Sequence, residues 1–149
     1  MATGVTKPLY TRDILRLATS IPHLGTLDNP QGRAEIRSPT CGSTFVVEVN
    51  IDQNGRVSEL GQQVHACAFG QASAALMGAH AVGRSEREIE EAIAAFCQWL
   101  DGCRDDPGAW PGLEALEPAR TRRGRHGAML MPFRGLASAI RAAQTLASL

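Results

Sequence analysis

Four cysteines and four histidines are the residues of this chain best suited to chemistry, and their spacing sorts them. Cys41 follows Pro39 and Thr40 and precedes Gly42, a turn composition just ahead of a β-branched run. Cys67 stands where a third strand gives way to an Ala-rich helix. A thiol at that junction faces the positive end of the helix dipole, which favours the thiolate. One cysteine opens a strand and the other follows the end of its hairpin partner. Antiparallel pairing sets those two ends side by side, so the two thiols are expected at one end of the sheet. The bland alternative, two small residues buried at strand ends, suits cysteine in general but suits a turn and a helix start less well.

The other candidates divide in the same way. Cys97 lies between Phe96 and Leu100 on an apolar helix face, where core packing is the stronger reading. Cys103 follows Gly102 just past that helix and reads as an ordinary loop residue. His126 comes after Arg120, Arg122, Arg123 and Arg125 and ahead of the last helix; a neutral imidazole is a common metal ligand, but on its own this one reads better as a surface histidine beside a solvated basic loop, and that run could equally bind an acidic partner. His65, two residues before Cys67, would share its side of a strand but is the weaker candidate. His23 and His80 have no supporting context. Two thiolates and one imidazole suit zinc or iron–sulfur chemistry, because soft sulfur ligands select those metals. No zinc-finger knuckle, phosphate-binding Walker loop, GxGxxG, GxSxG or HExxH occurs.

The elements that must position these residues follow from turn and period signals. Thr11 is a candidate cap for a short helix with Ile14, Leu15 and Leu17 on its apolar face, ended by Pro22. Residues 33–37, 44–51 and 56–65 read as three strands of an antiparallel meander, with Asn54-Gly55 the hairpin turn. Residues 71–81 read as a helix. Ser85-Glu86-Arg87-Glu88 is a capping box opening the next helix, whose face carries Ile89, Ile93, Phe96, Cys97 and Leu100. Residues 101–124 read as a loop. It is long enough that part of it is expected to be short helix or a functional loop. A final helix is expected from about Pro132 to Leu146, burying Leu136, Ile140, Ala143 and Leu146. This order predicts an α+β domain, a three-stranded antiparallel sheet with helices packed on one face.

Bulk properties narrow the functions. The 149 residues suit a single domain with one core, and 44% hydrophobic content argues against disorder. Fifteen basic residues balance fifteen acidic ones, so neither nucleic acid nor a membrane surface is an expected partner. All but Lys7 of the basic residues are arginine; base composition explains this more simply than anion recognition. Residues 1–9 carry no apolar segment of the secretory kind. A cytoplasmic location is expected, with the thiols kept reduced.

Several segments together resemble a known family. Pro22-His23-Leu24-Gly25, Pro39-Thr40-Cys41-Gly42-Ser43, Ala66-Cys67-Ala68-Phe69-Gly70-Gln71-Ala72-Ser73 and Arg125-His126-Gly127-Ala128-Met129-Leu130 occur in the order and spacing of the iron–sulfur cluster assembly scaffolds, typified by the NifU N-terminal domain, IscU and SufU. Over about residues 21–140 the chain is similar to that family, and Leu130-Met131-Pro132-Phe133 looks more like its SufU branch. The resemblance implies one scaffold domain that carries cargo and is not an enzyme. It implies that Cys41 and Cys67, with His126 as a further ligand, hold a transient [2Fe–2S] cluster, iron or zinc. It implies a cysteine desulfurase as sulfur donor and apo iron–sulfur proteins as recipients. Against the family pattern, Ser43 replaces an aspartate and Gly127 a third cysteine. Two further roles therefore stand beside the scaffold: a zinc-dependent sulfur acceptor, and a metal-free binding module.

Overall fold

The computed structural model describes residues 10–39 and 42–149. Cys41 and the N-terminal residues 1–9, on which two of the sequence expectations fall, lie outside the described residues.

Helix α1 (Arg12–Ala18) is capped as expected, Thr11 Oγ1 accepting from Ile14 N at 3.2 Å. Ile14 is fully buried, while Leu15 is exposed; a seven-residue helix buries too narrow a stripe to cover both. Strands β1 (Gly32–Arg37), β2 (Thr44–Ile51) and β3 (Val57–His65) form an antiparallel sheet in the order β1-β2-β3. The β2–β3 turn closes through Gly55 N to Asp52 O at 3.0 Å, with Gly55 at φ 78°. The Asp52 carboxylate accepts from the Asn54 and Arg56 amides.

Cross-strand pairs assign the two faces of the sheet. Ala34, Val47 and Gln62 pair in one row, and Ile36, Phe45 and Val64 in another; these residues face inward. Arg37, Thr44 and His65 form a row on the outer face. Beside β3 runs a short parallel bridge from Leu24 to Gln62. In it Gly25 N donates to Gln62 O, and Gln62 N donates to His23 O.

Helix α2 (Ala68–His80) begins directly after Cys67, its N-cap, three residues earlier than the sequence suggests. The Ala-Phe-Gly start lacks a side-chain cap that would mark it. Helix α3 (Glu86–Leu100) opens on the expected capping box. Cys97 is half-buried against the core, and Cys103 is exposed. The loop after α3 contains a 3₁₀ segment, Leu113–Ala119.

The largest correction concerns helix α4, which runs Arg123–Ala147 with Pro132 in its interior, not from Pro132 onward. Proline lacks an N–H, so it leaves the Ala128 carbonyl without its intrahelical donor. At this level α2 comes close: an alanine at Gly70 would place its Cβ 3.4 Å from Ala128 O, and the Ser73 hydroxyl donates to Met129 O. The proline is accommodated where a neighbouring helix packs. Helix α4 crosses the inner face of β1 and β2 and packs against α2 and α3. A Cβ at Gly32 would strike the Ala139 carbonyl, which is how closely strand and helix meet. Leu136, Ile140 and Ala143 are buried as expected, but Leu146 is half-exposed because it lies in the last turn. An edge-to-face group of Phe96, Phe133 and Trp110 joins α3, α4 and the preceding loop. No helix among the described residues is long and apolar enough to cross a membrane.

Candidate metal centre

The last β2–β3 pair is Thr44 with His65. Cys41 lies three residues before Thr44 and Cys67 two residues after His65. The register therefore sets Thr44 and His65 at one corner of the sheet, where Cys67 opens α2; Cys41 lies outside the described residues. Ser38 after β1 and the residues just ahead of β2 are tied together: Ser38 N donates to Ser43 O at 2.8 Å, and Gly42 N to Ser38 O at 3.2 Å. Gly42 adopts φ 70°, a left-handed turn that glycine allows at no steric cost. Ser43 is buried, so the residue two beyond Cys41 contributes a packed hydroxyl to this corner and no carboxylate.

Cys67 sits at the N-cap of α2 in an extended conformation, φ −65° and ψ 170°. Its side chain caps no backbone amide, so the thiol is not consumed by the helix end. It is half-buried and packs beside the core. A half-buried thiol at the N-terminus of a 13-residue helix faces the positive end of the helix dipole.

Helix α4 supplies the third side of the corner. Among the described residues, a Cβ at Gly127 would find one heavy atom within 4 Å, Ser38 Oγ at 4.0 Å, so Gly127 faces the chain just past β1. A residue earlier, His126 takes another direction. Its Nε2 lies 2.7 Å from Arg120 O, and because a carbonyl only accepts, that nitrogen carries the proton. Seven residues on, two helical turns, Phe133 packs on Phe96 and Trp110. His126 therefore starts the stripe of α4 that faces α3. The sequence order of Arg125, His126 and Gly127 does not separate these directions; the early start of α4 does.

Arg120 anchors this side. Its Nε donates to Trp99 O, a terminal nitrogen donates to Arg104 O, and its guanidinium lies 4.7 Å from the Trp99 ring centroid. This arginine is structural and is no part of a free basic run. Among the described residues no group of three or more His, Cys, Asp and Glu converges tightly enough to hold a metal ion. Of the donors a thiophilic ion needs, the described residues of this corner supply one, the Cys67 thiol held at a helix start. The described residues add no carboxylate there.

Comparisons with known proteins agree with this frame. Residues 9–97 match the family model of the NifU-like N terminal domain. The match begins ahead of the expected boundary and stops within α3. Among solved structures, a NifU-like protein (N-terminal) from Brucella abortus superposes with a TM-score of 0.86 at 30% identity, covering 92% of this chain and 95% of that one. A putative iron–sulfur cluster assembly scaffold protein for the SUF system from Fervidobacterium islandicum AW-1 superposes with a TM-score of 0.80. It is 19% identical, with 89% of this chain and 96% of that one covered, and shares the fold. No curated protein sequence matches the chain.

Proposed function

Because the chain belongs to the NifU-like N-terminal domain family, we propose that it is a scaffold for iron–sulfur cluster assembly. Cys41 and Cys67 hold the nascent cargo, a [2Fe–2S] cluster or a single iron or zinc ion. The supporting observation is the Thr44–His65 pair, which closes the two strand ends beside these cysteines. The cargo is substrate here, taken up and passed on. A corner with few built-in donors suits that use, since a complete set of thiolates would hold the metal too tightly to release it.

Of the His126 ring only Nδ1 remains for a ligand, since Nε2 donates to Arg120 O, and its place on the stripe facing α3 leaves the cysteines as the principal ligands of the cargo. Sulfur arrives from a cysteine desulfurase, and apo iron–sulfur proteins receive the product. Two cysteines provide half of the four ligands that a [2Fe–2S] cluster takes from cysteine alone. The remaining positions fall to imidazole or to a partner.

Anaerobic reconstitution with iron and a desulfurase–cysteine system tests the reading. Visible absorbance of a cluster, or stoichiometric metal, is expected on the wild-type chain and not on Cys41→Ser or Cys67→Ser. Zinc alone, with a persulfide detected on either cysteine by mass spectrometry, would favour the sulfur-acceptor role. Neither metal nor cluster under any loading would refute the scaffold and leave a docking module.

A further inference from the structure

We propose that the outer edge of β1 is a docking site for an extended, acidic segment of a partner protein, which adds to the sheet as a fourth strand. The two edges of the sheet are protected unequally. On the β3 side the backbone is engaged at two places. Gly83 N donates to Val57 O and Val57 N to Arg84 O, while Gly25 N donates to Gln62 O and Gln62 N to His23 O. On the β1 side the direction of the backbone groups follows from Ser38, whose N–H donates towards β2, to Ser43 O. Successive residues of an antiparallel strand alternate in this respect. Ala34 and Ile36 therefore turn their N–H and C=O groups to β2, and Arg33, Glu35 and Arg37 turn theirs to the outside. Among the described residues no backbone group pairs with that outer edge. An open row of this kind is a template for another strand.

The surface beside the edge has a shape and a charge that select the occupant. Strand β1 and helix α3 both lie against α4 but barely touch each other. The groove left between them, of about 460 Å³, takes Ile36, Ile93 and Ala137 as its apolar lining. Two of its three charged residues, Glu90 and Arg141, neutralise each other at 3.2 Å. The third, Arg134, is exposed, and among the described residues it forms no ion pair or hydrogen bond. A strand added to β1 presents alternate side chains to this groove. Apolar ones meet Ile36 and Ile93, and a carboxylate meets Arg134 in a charge-assisted hydrogen bond. Main-chain pairing then gives affinity, and the groove gives selectivity. Residues 1–9 of the chain itself include no acidic residue to match Arg134. A second copy matches it no better, because a two-fold interface offers the same surface from both sides and would add another Arg134.

The test needs no metal, so its outcome is independent of the scaffold reading. Random octapeptides displayed on phage are selected against the full chain, and the tightest binder is synthesised as the probe. It is expected to alternate apolar residues with others that include Asp or Glu. Amide hydrogen exchange at Arg33, Glu35 and Arg37 is expected to be fast in the free chain and slow with the peptide bound. Glu35→Pro removes one outward N–H and leaves the β1–β2 ladder whole. Arg134→Glu reverses the unpaired charge. Each should weaken the peptide roughly 10-fold or more, with urea unfolding as the control for the fold. A peptide with its acid replaced by Lys should regain affinity for Arg134→Glu, which a misfolded variant would not allow. Failure to select any peptide, or peptides indifferent to both substitutions, would overturn the proposal. So would slow exchange at the three amides in the free chain; sedimentation would then assign the cover to a second copy or to the chain itself.

Discussion

Two glycines of α4, Gly127 and Gly135, test the packing that builds the corner, because the same substitution should act on them with opposite signs. An alanine at Gly135 would place its Cβ 2.8 and 2.9 Å from ring carbons of Phe45 and 3.4 Å from Val47. Phe45 and Val47 are both fully buried on the inner face of β2, so neither has free space to retreat into. Overpacking of this kind costs about 1–3 kcal/mol. The intrinsic gain of alanine over glycine within a helix offsets about 1 kcal/mol of it. The net expectation is a loss of about 1 kcal/mol. At Gly127 the same Cβ meets, among the described residues, only Ser38 Oγ at 4.0 Å. The helix gain then stands alone, about 0.5 kcal/mol for a residue in the second turn. The two variants should therefore differ by about 1.5 kcal/mol, or roughly 5 °C in midpoint for a domain of this size. Urea titration of the metal-free chain, followed by the fluorescence of buried Trp99 and Trp110, measures both. Equal stabilisation of the two variants would refute the packing of Gly135 against Phe45. A loss at Gly127 would show that its Cβ meets more there than Ser38 Oγ.

Other outcomes follow from named contacts. Ser85→Ala removes the cap accepted by Glu88 N and should cost about 1 kcal/mol in the same titration. Glu88 accepts hydrogen bonds from the Ser85 amide and from Arg56, which hold its carboxyl below the ordinary 4.5. Its contribution is then present above pH 4.5 and lost as pH falls through the lower folded value. Glu88→Gln should accordingly destabilise the chain at pH 7 and much less at pH 3; equal losses at both would contradict this. Phe133→Ala empties a fully buried site touching Phe96 and Trp110 and should cost about 3–5 kcal/mol by denaturant titration. Zinc at about a hundred times its dissociation constant should add about 2.7 kcal/mol of stability. Thermal scans of wild type and Cys67→Ser would find that gain in the first and not in the second.

What the sequence made legible was local. The Asn54-Gly55 turn, the Thr11 cap and the Ser85 box are each written within four residues, and each forms as read. The meeting of the β2 and β3 ends was also readable, because a hairpin's register follows from its turn. The start of α4 was hidden. Gly124 and Gly127 weaken the helix signal, and Pro132 imitates a first-turn proline. Only the approach of α2, with Ser73 on Met129 O, explains how a helix tolerates proline in its tenth position. The same error kept His126 and Gly127 together as neighbours in a loop, whereas a helix turns them about 100° apart.

The position of α4 also has a consequence for the making of the protein. This helix covers the inner face of β1 and β2, yet it is the last element in chain order. While the ribosome adds its 25 residues, at about 5–20 residues per second, the sheet waits for seconds with Phe45, Val47 and Val49 uncovered. The nascent chain holds its cysteine-bearing hairpin before it holds its core. The interval for which that apolar face lies uncovered is therefore set by topology and not by stability.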